Sequence, residues 1–133
     1  MQSSITPTWL KRILLIDAVV TAAMGLGLLA AADSLARLFG LQAALLQGAG
    51  AVLVPFAALL AWAASQRAPS RRLVLTLIIG NVLWVIDSVL LLFTPWISPN
   101  SLGLAFVLGQ AFAVAVLASG QFVGARRAGV LTA

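Results

Sequence analysis

The chain has 133 residues, 62% of them hydrophobic and 8% charged, with a formal net charge of +5. A soluble domain carries about 25% charged residues, and one of this length could not hide so much apolar surface, so the composition indicates an integral membrane protein. The basic residues lie in short pairs between apolar blocks, without interleaved aromatic residues, which excludes a nucleic-acid partner.

Four apolar segments are each long enough to cross the hydrocarbon core as a helix, which takes about 20 residues. Helices are expected because lipid cannot hydrogen-bond the backbone, and because the segments lack the alternating pattern of barrel strands. The sequence therefore predicts an all-α membrane fold, a four-helix up-down transmembrane bundle that forms a single domain over residues 1–133. The predicted spans are residues 13–31, 41–64, 73–93 and 102–123.

The connections between the spans carry their own signals. After the first span, DSLARLFG (33–40) has apolar residues at helical spacing, with Asp33 or Ser34 as an N-cap and Gly40 as a stop. This pattern predicts a short interfacial helix, with a plain loop as the alternative. In TPWISPN (94–100), two prolines break the chain and Asn100 can cap the last helix.

The basic residues predict the orientation of the bundle. Seven of the eight fall on one side of the predicted spans, and only Arg37 falls on the other. The positive-inside rule then places both termini in the cytoplasm, and the localisation we expect is the bacterial inner (plasma) membrane, with multiple passes. The seven residues are Lys11, Arg12, Arg67, Arg71, Arg72, Arg126 and Arg127.

The first span has one alternative interpretation. A basic pair at its start, an apolar run and the alanines 30–32 before Asp33 are features of a signal peptide with its cleavage site. Against this interpretation, the apolar run is longer than the usual 7–15 residues and contains Asp17. We therefore treat the segment as a membrane span.

Polar residues near the basic side form one candidate group. Asp17 on the first span and Gln121 on the fourth lie at similar depth, with Asn81 on the third span somewhat deeper. We expect a hydrogen-bonded inner polar cluster that ties the helices together. The shallow position of Asp17 also predicts access to headgroup water or to Arg71 or Arg72.

Asp87 is the centre of a second candidate group, an intramembrane polar site. It lies about 9 Å from the outer end of its span, taking 1.5 Å per residue. The predicted spans contain no Lys or Arg to pair with it. An acid inside a membrane indicates a proton or substrate site, and the alternative is a polar group that ties helices together. The candidate residues are Asp87, Trp84, Asn81, Ser88, Gln110 and Gln47, with Arg37 as a further partner that can reach Asp87 from the interface.

The residue types that are missing limit the chemistry. The chain has no His, Cys or Glu, so it lacks a side-chain set for zinc, haem or an iron–sulfur cluster, and no nucleophile–His pair can be built. We therefore predict no metal, no cofactor and no enzymatic activity. The surviving enzyme alternative is a lipid isomerase or transferase that uses a lone Asp as its acid.

The whole pattern resembles the uncharacterised small four-span inner-membrane proteins of bacteria. The resemblance rests on length, on four spans and on stretches such as LLIDAV, LVPFAALLAW and NVLWVIDSVLLL. Small multidrug transporters share the four-span size, but they depend on a membrane-embedded glutamate in the first helix. This chain has Asp17 there and no glutamate.

Two functions are compatible with these features. The first is a non-enzymatic structural or accessory membrane protein, whose partners are the lipid bilayer and either a homo-oligomer or a larger membrane complex. The alternative is an oligomeric proton-linked transporter or a lipophilic small-molecule binder that uses Asp87. A cation bound by that carboxyl group could also lie on the Trp84 ring.

Overall fold

The described part of the chain consists of four long helices, one short helix and their connections. The computed structural model describes the backbone of residues 5–131 and the side chains of residues 8–131. Within that part of the chain all regular structure is α-helical, which confirms the predicted fold class. The helices are α1 (Ile5–Ala30), α2 (Ala32–Phe39), α3 (Ala43–Ser65), α4 (Arg71–Leu91) and α5 (Ser101–Arg127).

Four of these helices have the length and hydropathy of membrane spans, and the chain is by this measure a multi-pass membrane protein. The largest departure from the predicted bounds is at the first helix, which begins at Ile5 instead of residue 13. Pro7 lies in its first turn, where a missing N–H breaks no intrahelical bond, so nothing stops the helix from starting early. Lys11 and Arg12 therefore lie inside α1 and do not precede it.

The connections explain where the other helices begin and end. The Ser70 hydroxyl caps α4 by accepting a hydrogen bond from the amide of Leu73 at 3.1 Å. Asn100 caps α5 as predicted, with its Oδ1 2.8 Å from the amide of Gly103. Gly40 ends α2 in the left-handed region at φ 69°, which favours glycine because it has no Cβ.

The predicted N-cap of α2 was wrong. Neither Asp33 nor Ser34 caps the helix, which begins at Ala32 without a side-chain cap. Only Ala31 separates α1 from α2, and its carbonyl accepts the first hydrogen bond of the new helix from the amide of Leu35 at 2.9 Å. The amide of Ala31 in turn donates to the carbonyl of Gly27 at 2.9 Å, so the residue between the two helices is bonded to both.

The four spans form a ring in the order α1, α3, α4, α5, so that neighbours run antiparallel. α1 packs extensively on α3 and also on α5, while α4 packs mainly on α5. The α1–α3 approach is close, because a Cβ on Gly50 would lie 2.7 Å from the carbonyl oxygen of Gly25. The backbones of α3 and α4 approach each other far less, so the ring is loosely closed on that side.

Two apolar layers fill the interior. We call the end of the bundle that carries the seven basic residues the basic end, and the end where α2 lies the opposite end. All four spans contribute to the layer near the basic end, which includes Leu14, Leu60 and Leu77. The core layer near the opposite end comes from α1, α2, α3, α5 and the segment between α2 and α3, and α4 only packs partly buried residues against it.

The short helix α2 closes the opposite end. The ring of Phe39 stacks on that of Phe106 with centroids 4.5 Å apart. The backbone amide of Asn100 donates to the carbonyl of Phe39 at 3.1 Å, and its side-chain amide donates to the carbonyl of Leu38 at 2.9 Å. The residue that caps α5 therefore also holds the end of α2.

Candidate functional site

The first polar group lies inside the bundle and is centred on Asp17. Its carboxyl oxygens accept hydrogen bonds from the Thr21 hydroxyl at 2.8 Å, from the Asn81 amide at 2.8 Å and from the Gln121 amide at 2.5 Å. The Asn81 amide also donates to Oε1 of Gln121 at 3.1 Å. All four residues are buried, and Asp17 and Gln121 have no exposed surface. We call these four residues the Asp17 cluster.

The Asp17 cluster links three helices across the interior. α1 and α4 lie diagonally in the ring, and the bond from Asn81 to Asp17 joins them without a close backbone approach. The structure thus brings together Asp17, Asn81 and Gln121, and it adds Thr21. Thr21 lies four residues after Asp17, on the same helix face, which is the sequence signal that could have identified it.

One expectation about Asp17 was wrong. Its carboxyl group reaches neither solvent nor Arg71 or Arg72, since it has no exposed surface and its partners are Thr21 and two amides. Each of those partners donates, which is the arrangement that a carboxyl group needs when no cation is nearby. Asn81 was assigned to both polar groups, and its hydrogen bonds place it in this cluster and not in the group around Asp87.

A second polar group joins α4 to α5 nearer the opposite end. The Trp84 indole N–H donates to Oε1 of Gln110 at 2.7 Å. The Gln110 amide donates to the Ser88 hydroxyl at 3.1 Å and to the carbonyl of Val107 at 2.8 Å. The Ser88 hydroxyl in turn donates to the carbonyl of Trp84 at 2.7 Å. These bonds fix the orientation of the tryptophan ring.

Asp87 is adjacent to this group but is not bonded to it. Its side chain is exposed, and among the residues that the structure describes none forms a hydrogen bond or ion pair with its carboxyl group. Of the partners expected from the sequence, Gln110 and Ser88 are bonded elsewhere. Gln47 and Arg37 form no hydrogen bond or ion pair with Asp87.

The helix that carries Asp87 ends two residues earlier than the predicted span. α4 ends at Leu91 and not at residue 93, so Asp87 lies four residues, about 6 Å, from the end of its helix. A charged or strongly polar group costs less near an interface than at the centre of a bilayer. The carboxyl group therefore lies about one helical turn from the end of α4.

The Asp87 carboxyl group lies on a groove, which we call the Asp87 groove. The groove opens beside α3 and α4, beyond the point where Phe56 packs against Gly80, and has a volume of about 410 Å³. Most of its lining is apolar, from α1, α3, α4 and α5 and the segment before α3. The polar side chains in the lining are those of Trp84, Asp87, Ser88 and Gln110.

Gln47 was predicted to belong to this site and does not. It is exposed, lies on a part of α3 that does not line the groove, and forms no hydrogen bond in the described structure. Gly48 and Ala49, the next two residues, do line it. A rotation of about 100° per residue separates neighbours on a helix, so this assignment depends on how α3 is turned.

The arrangement of these groups limits what the chain can bind. Over residues 8–131, no three Asp, Glu, His or Cys side chains come together in a way that could hold a metal ion. Every buried side-chain nitrogen or oxygen in that range has a hydrogen-bond partner. The one acid that both faces a cavity and lacks a partner within this range is Asp87, so the Asp87 groove is the best candidate site.

Comparison with known proteins assigns no family and no function to this chain. No family model matches the chain, and neither the curated proteins nor the solved structures contain a significant match.

Proposed function

We propose that this chain is a small non-enzymatic membrane protein that binds a lipophilic cation in the Asp87 groove. One observation carries the proposal: the carboxyl group of Asp87 lies on an apolar groove without a partner in the described structure. A charged group beside apolar surface lowers its free energy when a cation or a hydrogen-bond donor pairs with it. In a ligand with a positive charge on an apolar body, the charge would pair with the Asp87 carboxyl group and the apolar body would occupy the groove.

The size and lining of the groove support this ligand class. Pockets for small molecules have volumes of about 300–1,000 Å³ and are mostly apolar with a few polar groups, and the Asp87 groove fits that description at about 410 Å³. Trp84 lines the groove, and its indole N–H is fixed by Gln110. An oriented aromatic ring beside a carboxyl group favours a cation through the cation–π interaction.

The binding test compares two acids near the same end of the bundle. The purified full-length chain is titrated with tetraphenylphosphonium, a lipophilic cation, for the wild type and for Asp87→Asn and Asp33→Asn. Asp33 is the matched control, because it is exposed on α2 and does not line the groove. We expect Asp87→Asn to weaken binding at least about tenfold, or about 1.4 kcal/mol, and Asp33→Asn to leave it unchanged.

A second variant tests the groove without changing charge. Gly48 lines the groove, and a Cβ built on it meets no atom within 4 Å, so Gly48→Phe should fill the space without a backbone clash. We expect it to abolish binding while the unfolding temperature is kept. Equal affinity in the wild type, Asp87→Asn and Gly48→Phe would contradict the proposal.

A transport function would use the same Asp87 groove. Four spans enclose a narrow interior, so we propose that transport coupled to protons would require an oligomer in which grooves face each other. Proteoliposomes with an imposed pH gradient test this: uptake of tetraphenylphosphonium that is lost in Asp87→Asn supports a transporter. Binding without uptake supports a binding protein alone.

A structural or accessory role is the second candidate. The observation in its favour is that all buried polar side-chain atoms between residues 8 and 131 are already paired, so the interior itself offers no free group for a ligand. Such a protein would act through its outer surface, either as a homo-oligomer or in a larger membrane complex. It predicts no binding of tetraphenylphosphonium, and it predicts that other membrane proteins co-purify stoichiometrically in mild detergent.

A further inference from the structure

A second cavity lies at the basic end, between the two helices that pack most closely. It has a volume of about 340 Å³ and is lined on the α1 side by residues that include Lys11, Arg12 and Leu15. On α3 it is lined by Ala61, Ala64 and Ser65. This cavity shares no lining residue with the Asp87 groove. It is called the basic pocket below.

Helical spacing explains why the basic pocket exists. Residues 11, 12 and 15 lie on one face of α1, because residues three and four apart are neighbours on a helix. The facing residues of α3 are small, so they leave room beside the long side chains. The Ser65 hydroxyl already donates to the carbonyl of Trp62 at 2.6 Å, and Lys11 and Arg12 are the charged side chains in the lining.

None of the three aspartates places its carboxyl group at this pocket. Of the three acids, Asp17 is buried and bonded within its own cluster, while Asp33 and Asp87 lie toward the opposite end. No ion pair involves Lys11 or Arg12 within the described residues. Two adjacent cations repel each other, and an external anion between them lowers their electrostatic free energy.

The polarity of the pocket changes along α1. Lys11 and Arg12 lie nearer the basic end, and Leu15 lies about one turn deeper. Trp9 and Trp62 are both exposed at the same end, as is common at the level of lipid headgroups. The pocket is therefore charged nearer the basic end and apolar deeper in the bundle. This order matches a phosphate group that is joined to an acyl chain.

We propose that the basic pocket binds the phosphate of an anionic phospholipid, with Lys11 and Arg12 as its ligands and an acyl chain along Leu15. Basic pockets between membrane helices are a general means of binding acidic lipid headgroups. Arg71 and Arg72 carry the same charge at the same end, but they do not line this pocket. The pocket therefore adds a specific site to the general attraction of the basic end.

Native mass spectrometry of the full-length chain in detergent tests the proposal. The ligands are dioleoyl-phosphatidylglycerol, dioleoyl-phosphatidylcholine and glycerol phosphate, which separate an anionic lipid from a zwitterionic lipid and from a free phosphate. We expect tight binding of phosphatidylglycerol alone. Since a basic residue near an anionic lipid contributes about fivefold, the double variant Lys11→Gln/Arg12→Gln should weaken that binding about 25-fold.

Two further variants separate the pocket from its charge. The double variant Arg71→Gln/Arg72→Gln removes two charges from the same end and should change the affinity by less than about threefold, because these residues lie outside the pocket. Ala61→Phe keeps all charges but fills the pocket, and the exposed position of Ala61 allows the larger ring. We expect this variant to weaken binding at least tenfold.

Three results would overturn the proposal. Equal weakening by both double variants would mean that general charge attraction explains the binding. Unchanged binding in Ala61→Phe would mean that the lipid does not enter the pocket. Glycerol phosphate that binds as tightly as phosphatidylglycerol would show a site for free phosphate instead of a lipid.

Discussion

The three aspartates of this chain have three different environments. Asp17 is buried and accepts hydrogen bonds from three side chains, Asp33 is exposed on α2, and Asp87 is exposed on an apolar groove. The same side chain is therefore a structural centre at the first position and a candidate ligand-binding group at the third. The neighbours that surround each carboxyl group account for this difference.

We expect Asp17→Ala to lower the free energy of unfolding by about 2–3 kcal/mol. The substitution leaves the Asn81 and Gln121 amides without their shared acceptor in a buried position, which is costly. Asp17→Asn should cost less, because one carbonyl oxygen remains as an acceptor. Unfolding in a fixed mixture of detergents measures both changes.

The control for this experiment is Thr76→Ala. The Thr76 hydroxyl is exposed and bonds only the carbonyl of Arg72 in its own helix, so its loss should change the stability by less than about 0.5 kcal/mol. If Asp17→Ala were no more destabilising than Thr76→Ala, the Asp17 cluster would not hold the helices together.

Among the helices, the contrast between two neighbouring pairs decides where the groove forms. Around Gly25 and Gly50 the backbones of α1 and α3 come close and leave little space. α3 and α4 are kept apart beyond the contact between Phe56 and Gly80, and the groove occupies that gap. The residue sizes on each face of α3 therefore set both the tight and the open side of the bundle.

Gly50→Ala should destabilise the bundle, whereas Gly48→Ala should not. A Cβ at Gly50 would lie 2.7 Å from the carbonyl oxygen of Gly25, and because that atom belongs to a helix backbone, α1 and α3 must move apart. We expect a loss of about 1–3 kcal/mol, as is typical of overpacking. Gly48 has open space, so its alanine variant should be neutral or slightly stabilising.

The measurement is the midpoint of thermal unfolding in one detergent. Equal midpoints for the two alanine variants would show that the close α1–α3 approach does not limit stability.

Asn100 allows the anchoring of α2 to be separated from the capping of α5. Asn100→Asp keeps an oxygen for the Gly103 amide but loses the donor to the Leu38 carbonyl, while Asn100→Ala loses both. Hydrogen exchange should therefore increase in α2 for both variants. In the first turn of α5 it should increase about fivefold for the alanine variant alone, because a lost cap costs about 1 kcal/mol. Identical exchange patterns in the two variants would contradict this assignment.

For the molecule as a whole, the distribution of charge is the dominant feature. Seven basic residues lie at one end of the bundle and Arg37 lies at the other. The structure gives the ends of the helices, and the positive-inside rule predicts that the basic end faces the cytoplasm. The two proposed sites lie toward opposite ends of the bundle: the basic pocket is at the basic end, and the Asp87 groove is nearer the opposite end.

Cysteine labelling can test this orientation, because the chain has no cysteine of its own. We expect a membrane-impermeant maleimide to label Ser34→Cys in intact cells and to label Ala68→Cys only after the cells are opened. Both residues are exposed, Ser34 on α2 and Ala68 between α3 and α4. Labelling of Ala68→Cys in intact cells would reverse the predicted orientation.

Taken alone, the sequence determined the number of spans, the all-α fold, the cap at Asn100 and the stop at Gly40. These features depend on local properties, namely the length of apolar runs and the conformations of a few residues. The early start of α1 was missed, because a basic pair suggests a boundary but does not end a helix. The sequence also predicted a hydrogen-bonded cluster of Asp17, Asn81 and Gln121, with Asn81 somewhat deeper than the other two.

Only the tertiary structure decided which helix faces meet. It added Thr21 to the Asp17 cluster, left Gln47 outside the Asp87 groove, and left Asp87 without any of its expected partners. The physical reason is that depth is set by position along the chain, whereas contact also depends on how each helix is rotated and on which pair packs closely. In helices that are apolar on all sides, hydropathy does not encode that rotation, so the sizes of residues at the contacts decide it.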